Sequence, residues 1–186
     1  KVRMFLVEKN ITDVEIVQID LMQGEHKTPE YRAIAPNGRI PALQLDDGTV
    51  IMESTAICRY LESLHPEPNL FGENPMEIAA VEMWQCRIYD ELMKPLAMGF
   101  RHLHPAMAEL ENQNKEFGEA QKKVGVKSLN YFNGVLAESE YVAGDRFTFA
   151  DIQMITTTDF FIGLNQLDLS DYPEIERHSK LMSERP

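Results

Sequence analysis

The sequence predicts two domains, an α/β domain followed by an all-α domain. Three observations support this prediction. The first third of the chain alternates helical and strand-like segments, whereas the sequence after residue 75 shows helical periodicity. Between them, the segment 66–75 contains three prolines, which favour an extended linker. We therefore predict a first domain at residues 1–66, a linker at 67–75 and a second domain at 76–186.

The first domain is predicted to contain a helix, a strand, a loop, a hairpin and a second helix. Apolar residues at helical spacing predict the first helix, and a β-branched run predicts a buried strand. Asp47-Gly48 suits a tight turn between two antiparallel strands, and Ser54-Thr55 offers N-cap hydroxyls to the helix that follows. The predicted segments are a helix at 1–10, a strand at 14–20, a polar loop at 23–39, strands at 41–45 and 50–52, and a helix at 54–64.

The second domain is predicted to be all-helical, with helical periodicity at 78–92, ending before Pro95, and at 124–136 and 149–164. Thr148-Phe149-Ala150-Asp151 fits a capping box, in which the N-cap hydroxyl and the side chain three residues later each satisfy a backbone N–H group. In this capping box, aspartate replaces the glutamate that is usual at the third helical position. We assign Thr148 and Asp151 a structural role.

Composition excludes several classes of function. The formal net charge of −12 argues against a nucleic-acid partner, which needs clustered Lys and Arg. No apolar run approaches the roughly 18 residues of a membrane span, and a cytoplasmic location is expected. Cys58 and Cys86 have no CxxC spacing, so they are expected to be reduced core thiols, and no metal site is implied.

Four motifs follow one another along the chain: Gly24-Glu25-His26-Lys27-Thr28-Pro29-Glu30-Tyr31, Asn37-Gly38-Arg39-Ile40-Pro41-Ala42-Leu43, Ile51-Met52-Glu53-Ser54-Thr55-Ala56-Ile57 and Gly144-Asp145-Arg146-Phe147-Thr148-Phe149-Ala150-Asp151. In this order they resemble the soluble glutathione transferases, most specifically bacterial members allied to the theta and phi classes. The resemblance implies the glutathione transferase fold, with a thioredoxin-like α/β domain and an all-α domain. It places the first strand and the catalytic loop upstream of Lys1, so the catalytic residue is unknown. It also implies a homodimer.

In the resembled family the proline corresponding to Pro41 follows a cis bond. The resemblance therefore implies that Pro41 is structural and that Ile40 pairs its backbone with the cysteinyl residue of glutathione. The alternative is an ordinary trans proline at the start of a strand. Glu53 and Ser54 lie where a strand ends and a helix begins, so they suit the ammonium and carboxylate of the γ-glutamyl group. The alternative, compatible with binding, is that Ser54 is a helix cap.

Three basic residues, His26, Lys27 and Arg39, lie in predicted loops of an otherwise acidic chain. The resemblance places His26 and Arg39 near the glycine carboxylate of glutathione, and Lys27 would add local positive charge.

The leading hypothesis for function is conjugation of the glutathione thiolate to a small hydrophobic electrophile, as in detoxification. Glutathione would be a cosubstrate, and no cofactor is expected. One alternative is a glutathione-dependent thiol reductase or dehalogenase, and another is a noncatalytic transferase-like module that binds proteins. The pairing of Ile40-Pro41 with Glu53-Ser54 argues against the last, because a scaffold has no need of a γ-glutamyl site.

Overall fold

The structure is a computed structural model that describes residues 1–21, 23–164 and 167–186. It divides into two compact units, 1–69 and 70–186. This division, between residues 69 and 70, falls inside the predicted linker at 67–75. The two boundaries of that linker remain predictions. Within the described residues, no helix has both the length and the apolar character needed to cross a bilayer.

The first unit has the predicted α/β character. Its strands pair antiparallel, with Leu43 opposite Ile51, so the predicted hairpin is confirmed. Helix α1 packs on α3, and α3 packs on the hairpin. In order, the elements are α1 (Val2–Glu8), a 3₁₀ turn (Glu25–Lys27), α2 (Pro29–Ile34), β1 (Ala42–Gln44), β2 (Val50–Met52) and α3 (Ser54–Leu64).

The predicted strand at 14–20 is wrong for the described structure. The segment is irregular, and the Ile16 and Val17 side chains are 54% and 71% exposed. A strand forms only where a neighbour accepts and donates its backbone hydrogen bonds. The sheet of the described residues consists of β1 and β2 alone, and this segment pairs with neither of them. The β-branched composition therefore indicates a propensity for extended backbone, but it does not determine whether a paired strand forms.

Helix α2 lies inside the stretch that was predicted to be loop. The Thr28 hydroxyl accepts a hydrogen bond from the Tyr31 N–H at 3.3 Å, and Pro29 occupies the first helical position. Proline suits that position because its φ is already helical and no N–H is needed there. This Thr-Pro pair was the available signal, but a helix of 6 residues is too short to show apolar periodicity.

The regular elements among the described residues of the second unit are helices, apart from one isolated β-bridge between Tyr141 and Gly144. Its core brings together residues of four helices, including Leu92, Phe132, Met154 and Ile175, each at most 1% exposed. The elements are α4 (Pro75–Arg87), a π-helical segment (Ile88–Met93), α5 (Lys94–Leu103), a 3₁₀ turn (Pro105–Met107), α6 (Lys115–Glu138), α7 (Phe149–Gly163) and α8 (Pro173–Ser183).

Pro95 does not end the first of these helices, contrary to the prediction. Proline in a helix lacks an N–H donor and collides with the carbonyl four residues earlier. The π-helical segment directly before it changes the hydrogen-bond spacing, so that Lys94 N–H donates to the Tyr89 carbonyl five residues back. The chain thus passes from α4 into α5 without leaving a helical path.

Helix α6 begins at Lys115, earlier than the predicted 124. The Asn114 side chain caps it by accepting a hydrogen bond from Phe117 N–H at 3.0 Å. Two glycines let α6 approach α5 closely, because a Cβ on Gly118 would lie 2.8 Å from Leu103 and one on Gly125 would lie 2.7 Å from Leu96. Gly118 interrupts the apolar pattern before residue 124, which explains why the first part of the helix was not predicted.

The predicted capping box of α7 is present. Thr148 N–H donates to Asp151 Oδ2 at 2.9 Å, and the Thr148 hydroxyl accepts from Ala150 N–H at 3.3 Å. Asp151 also accepts from Val142 N–H at 2.8 Å, and its Oδ1 lies 3.0 Å from His178 Nε2 of α8. The aspartate is fully buried. It therefore joins the start of α7 to the preceding loop and to α8.

The two cysteines lie in different environments. Cys58 is fully buried on α3, as expected, but Cys86 is exposed on α4, so the prediction that it is a core thiol is wrong. The inward face of α4 at that point is supplied by Val81 and Gln85 instead. Burial raises the pKa of the Cys58 thiol to about 12.

We expect only Cys86 of these two to react with iodoacetamide in the native protein. The nucleophile is the thiolate, and burial keeps Cys58 protonated and inaccessible. Peptide mass spectrometry after a short native treatment should find the adduct on Cys86, and treatment in denaturant should find it on both. Native labelling of Cys58 at a rate comparable to Cys86 would contradict the burial described here.

Candidate functional site

The hairpin brings the two most informative motifs to one place. Ala42 lies opposite Met52 in the antiparallel register. Ile40-Pro41 directly precedes the first strand of this pair, and Glu53-Ser54 directly follows the second. Both motifs therefore leave the same end of the hairpin side by side.

Ile40 presents free backbone groups at this end of the hairpin. The Ile40-Pro41 bond is cis, as the resemblance implied. The Ile40 side chain is 45% exposed. Among the described residues, neither its N–H nor its C=O takes part in a backbone hydrogen bond. An extended peptide could pair with these two groups as an added strand does.

Glu53, not Ser54, is the N-cap of α3, so the predicted capping role of Ser54 is wrong. Ser54 is the first helical residue, and no described side chain caps the N-terminus of this helix. Glu53 has φ 69° and ψ 120°, a backbone conformation that non-glycine residues adopt rarely. Such strain of about 1–3 kcal/mol is typical of functional sites. Because Ser54 does not cap the helix, the hydroxyl of this half-buried residue is available to donate to another acceptor.

The start of α3 is also a place of positive potential. The first hydrogen bond of this helix runs from Ile57 N–H to the Glu53 carbonyl at 3.0 Å. The N–H groups of residues 54–56 therefore have no acceptor within the helix, and the helix dipole adds to their partial positive charge. A carboxylate is well matched to this position, and the exposed Glu53 carboxylate beside it is matched to an ammonium group.

His26 lies in the 3₁₀ turn and is packed against the segment that leads to Ile40. A Cβ on Gly38 would lie 2.9 Å from the His26 carbonyl, and Gly38 has φ 62°, so only glycine fits there. His26 Nδ1 is buried and has no hydrogen-bond partner in the described part of the chain. A buried nitrogen without a partner costs free energy.

Arg39 and Lys27 are both exposed, but only Arg39 is tied to the site. The Arg39 carbonyl accepts a hydrogen bond from the Tyr31 hydroxyl at 2.8 Å, which fixes the backbone just before Ile40. The Lys27 ammonium makes no ion pair among the described residues. The structure thus groups His26, Arg39, Ile40, Glu53 and Ser54, and gives no contact that joins Lys27 to them.

Two residues near this site were missed by sequence reasoning. Tyr31 positions the Arg39 backbone, and the Arg32 guanidinium lies within 3.5 Å of the place a Gly38 Cβ would occupy. Both belong to α2, the helix that was predicted to be loop. Recognising the Thr28-Pro29 start signal would have brought them together on one helical turn.

Comparison with known proteins decides the family. Residues 1–64 match the model of the glutathione S-transferase N-terminal domain, and residues 89–186 match that of the C-terminal domain. The chain belongs to the glutathione S-transferase family. The predicted resemblance and the predicted fold are thereby confirmed.

Relatives of this transferase chain occur in yeast, plants and bacteria. It is 40% identical to glutathione S-transferase 2 of Saccharomyces cerevisiae over 190 residues, which cover the whole chain and 81% of that protein. It is 33% identical to glutathione S-transferase F10 of Arabidopsis thaliana, over 85% of the chain and 74% of that protein. The crystal structure of Gtt2 from Saccharomyces cerevisiae superposes with a TM-score of 0.89 at 39% identity, covering 100% of this chain and 90% of the other.

Proposed function

We propose that this transferase conjugates the thiolate of glutathione to a small hydrophobic electrophile. The observation that carries the proposal is the convergence of Ile40, Glu53 and Ser54 at one end of the hairpin. Family membership supports glutathione as the cosubstrate, and no cofactor is part of the proposal.

The γ-glutamyl end of glutathione would bind at Glu53 and Ser54. This group carries an ammonium and a carboxylate on one carbon, so its receptor must offer both an acceptor and donors. The Glu53 carboxylate accepts from the ammonium, while the Ser54 hydroxyl and the first N–H groups of α3 donate to the carboxylate. The unusual φ of Glu53 supports this assignment, because it sets the carboxylate beside the helix start without capping it.

The cysteinyl residue would pair with Ile40 by backbone hydrogen bonds in both directions. Its N–H would donate to the Ile40 carbonyl and its C=O would accept from the Ile40 N–H, as in the addition of a strand. Main-chain pairing fixes the direction of the tripeptide while leaving the thiol free to react.

The glycine carboxylate would bind near His26 and Arg39. In a chain of net charge −12, an anionic ligand needs positive charge or N–H donors close at hand. We assign the donor role to the partly exposed His26, and the exposed Arg39 guanidinium adds charge. Lys27 would contribute positive charge to this carboxylate only through long-range electrostatic attraction.

The reaction needs a hydrogen-bond donor at the glutathione sulfur. A free thiol with a pKa of about 8.5 is mostly protonated at neutral pH, and a donor aimed at sulfur lowers that pKa. We assign this role to none of the described residues. Cys58 does not supply this donor, because it is fully buried on α3. The proposal further includes a homodimer and a cytoplasmic location.

A conjugation assay on the full-length protein tests the proposed reaction. With reduced glutathione and 1-chloro-2,4-dinitrobenzene, we expect a thioether product whose formation saturates in both substrates. With glutathione and hydroxyethyl disulfide, we expect no reduction above the uncatalysed rate. Fast disulfide reduction without thioether formation would contradict conjugation and support the thiol-reductase alternative. If the protein shows neither activity and binds no glutathione, the noncatalytic module is the alternative that remains.

We expect the His26→Ala substitution to weaken glutathione binding about tenfold, because one hydrogen bond to a charged group is lost. Stability should not fall, since His26 Nδ1 has no partner to lose among the described residues. Calorimetric titration measures the affinity, and thermal unfolding measures the stability. Lys27→Ala is the matched control, with less than a twofold effect. Equal affinities for His26→Ala and the unsubstituted protein would remove His26 from the site.

A further inference from the structure

Three hydrogen bonds hold the segment between α2 and β1 before the chain reaches its cis proline bond. Gly38 N–H donates to the Ala35 carbonyl at 2.8 Å. Arg39 N–H donates to Asn37 Oδ1 at 3.0 Å, and the Arg39 carbonyl accepts from the Tyr31 hydroxyl at 2.8 Å. Both polar backbone groups of Arg39 are therefore paired, each with a different side chain.

The Tyr31 backbone is itself held in the first turn of α2. Its N–H donates at 3.3 Å to the hydroxyl of Thr28, the N-cap of this helix, and its carbonyl accepts from Ala35 N–H at 2.8 Å. The Tyr31 side chain is half-buried and has two torsions, so ordering it costs little conformational entropy. The phenol is thus a well-placed donor for the Arg39 carbonyl.

The Arg39 carbonyl and the Ile40 N–H belong to the same peptide unit. This peptide bond is not one of the cis bonds of the described chain, so its carbonyl and its N–H point in opposite directions within one plane. Holding the oxygen at the Tyr31 hydroxyl therefore fixes the direction of the Ile40 N–H, which points away from that hydroxyl. The Ile40 N–H has no hydrogen-bond partner among the described residues.

The hydrogen bond at the oxygen also strengthens the donor at the other side of this peptide. Hydrogen bonds that follow one another in a chain polarise each other, so a hydroxyl bound to the Arg39 carbonyl makes the Ile40 N–H a better donor. A donor whose direction is fixed beforehand also loses less freedom when a ligand binds. Both effects favour an acceptor on the side of the peptide opposite Tyr31.

We propose that Tyr31 is a positioning residue for glutathione. Its hydroxyl, acting through the Arg39–Ile40 peptide, aims the Ile40 N–H at the cysteinyl carbonyl of the tripeptide. In this role Tyr31 acts without touching glutathione, unlike Glu53 and Ser54. The inference rests on the proposed function, in which the cysteinyl carbonyl is the acceptor of the Ile40 N–H.

The Tyr31→Phe substitution tests this role in the full-length protein, because it removes the hydroxyl and keeps the ring. We expect calorimetric titration to show about fivefold weaker binding of reduced glutathione, the effect of losing one hydrogen bond between uncharged groups. In the conjugation assay, KM for glutathione should rise to the same extent. The kcat value should change by less than about twofold, since the cysteinyl pairing is equal in the ground state and the transition state.

Tyr60→Phe is the matched control. Tyr60 lies on α3 in the same unit, and its hydroxyl has no hydrogen-bond partner among the described residues. This variant should bind glutathione as the unsubstituted protein does. The melting temperature of Tyr31→Phe should differ from that of the unsubstituted protein no more than the melting temperature of Tyr60→Phe does.

Hydrogen exchange followed by NMR separates positioning from a general effect on the fold. In the unsubstituted protein, saturating glutathione should slow the exchange of the Ile40 N–H. Tyr31→Phe should lose part of that protection at saturating glutathione, because the peptide is then free to turn. The amide of Leu43, which lies opposite Ile51 in the hairpin, should exchange at the same rate in both proteins.

The possible results distinguish this inference from the function on which it rests. Equal glutathione affinity for Tyr31→Phe and the unsubstituted protein would overturn the role of Tyr31 and leave the proposed function standing. Absence of glutathione binding by the unsubstituted protein would overturn both. Weaker binding with unchanged protection of the Ile40 N–H, or with an equal loss of protection at Leu43, would overturn the action through the peptide.

Discussion

The Asp151→Ala substitution should lower the free energy of unfolding by about 4 kcal/mol, because it removes a buried charge that several donors share. Asp151 Oδ1 accepts from Val142 N–H and faces His178 Nε2, while Oδ2 accepts from the N–H and the hydroxyl of Thr148. Alanine would leave these buried donors without an acceptor. Equilibrium unfolding in urea, with global fitting of both proteins, measures the difference.

Two further variants make this expectation specific. Asp145→Ala removes an exposed aspartate from the same segment and should cost less than about 0.5 kcal/mol. Asp151→Asn keeps the shape of the side chain but turns an NH₂ group toward donors whichever way the amide lies, so it should also destabilise, by about 2 kcal/mol. A loss below about 1 kcal/mol for Asp151→Ala would contradict the network described here.

The second large effect is expected at Lys9, whose side chain is fully buried in the first unit. Its ammonium lies 2.5 Å from Glu62 Oε2 and donates to the carbonyls of His65 and Pro68 at 2.8 and 2.5 Å. These contacts hold α1 to the C-terminal end of α3. Lys9→Met should therefore lower the free energy of unfolding by about 3 kcal/mol, because it removes a buried ammonium from the Glu62 carboxylate and from the two carbonyls.

The double variant Lys9→Met/Glu62→Met separates the two contributions to this loss. Removing both charges should recover part of the stability, since apolar side chains can replace a buried ion pair. Lys115→Met, at the exposed start of α6, is the control and should stay within about 0.5 kcal/mol of the unsubstituted protein. Thermal and urea unfolding measure the stability of each variant. Equal losses of unfolding free energy for Lys9→Met and Lys115→Met would show that the buried pair has no stabilising role.

Elements specified by local signals were predictable from the sequence. The turn at Asp47-Gly48 and the apolar strands beside it gave the hairpin, and Thr148 with Asp151 gave the capping box. Both depend on residues within a few positions of each other, so their physics is contained in a short segment.

Features that depend on distant partners or on exact backbone angles were not predictable. A strand at 14–20 requires a pairing neighbour, which propensity does not reveal. The helix through Pro95 depends on the π-helical segment before it, and the release of Ser54 from capping depends on the positive φ of Glu53. At the candidate site, the residue types of Glu53 and Ser54 were therefore readable, but their geometry was not.

Calorimetric titration of the full-length protein with reduced glutathione tests the central claim most directly. We expect saturable binding at a single site per chain. The Glu53→Gln/Ser54→Ala variant should lose about a hundredfold in affinity, the effect of losing two hydrogen bonds to charged groups. The matched control Glu15→Gln/Ser63→Ala, with the same changes at exposed positions of the first unit, should bind normally. Absence of binding at millimolar glutathione, or equal affinity for the two double variants, would contradict the assignment of glutathione to the end of the hairpin.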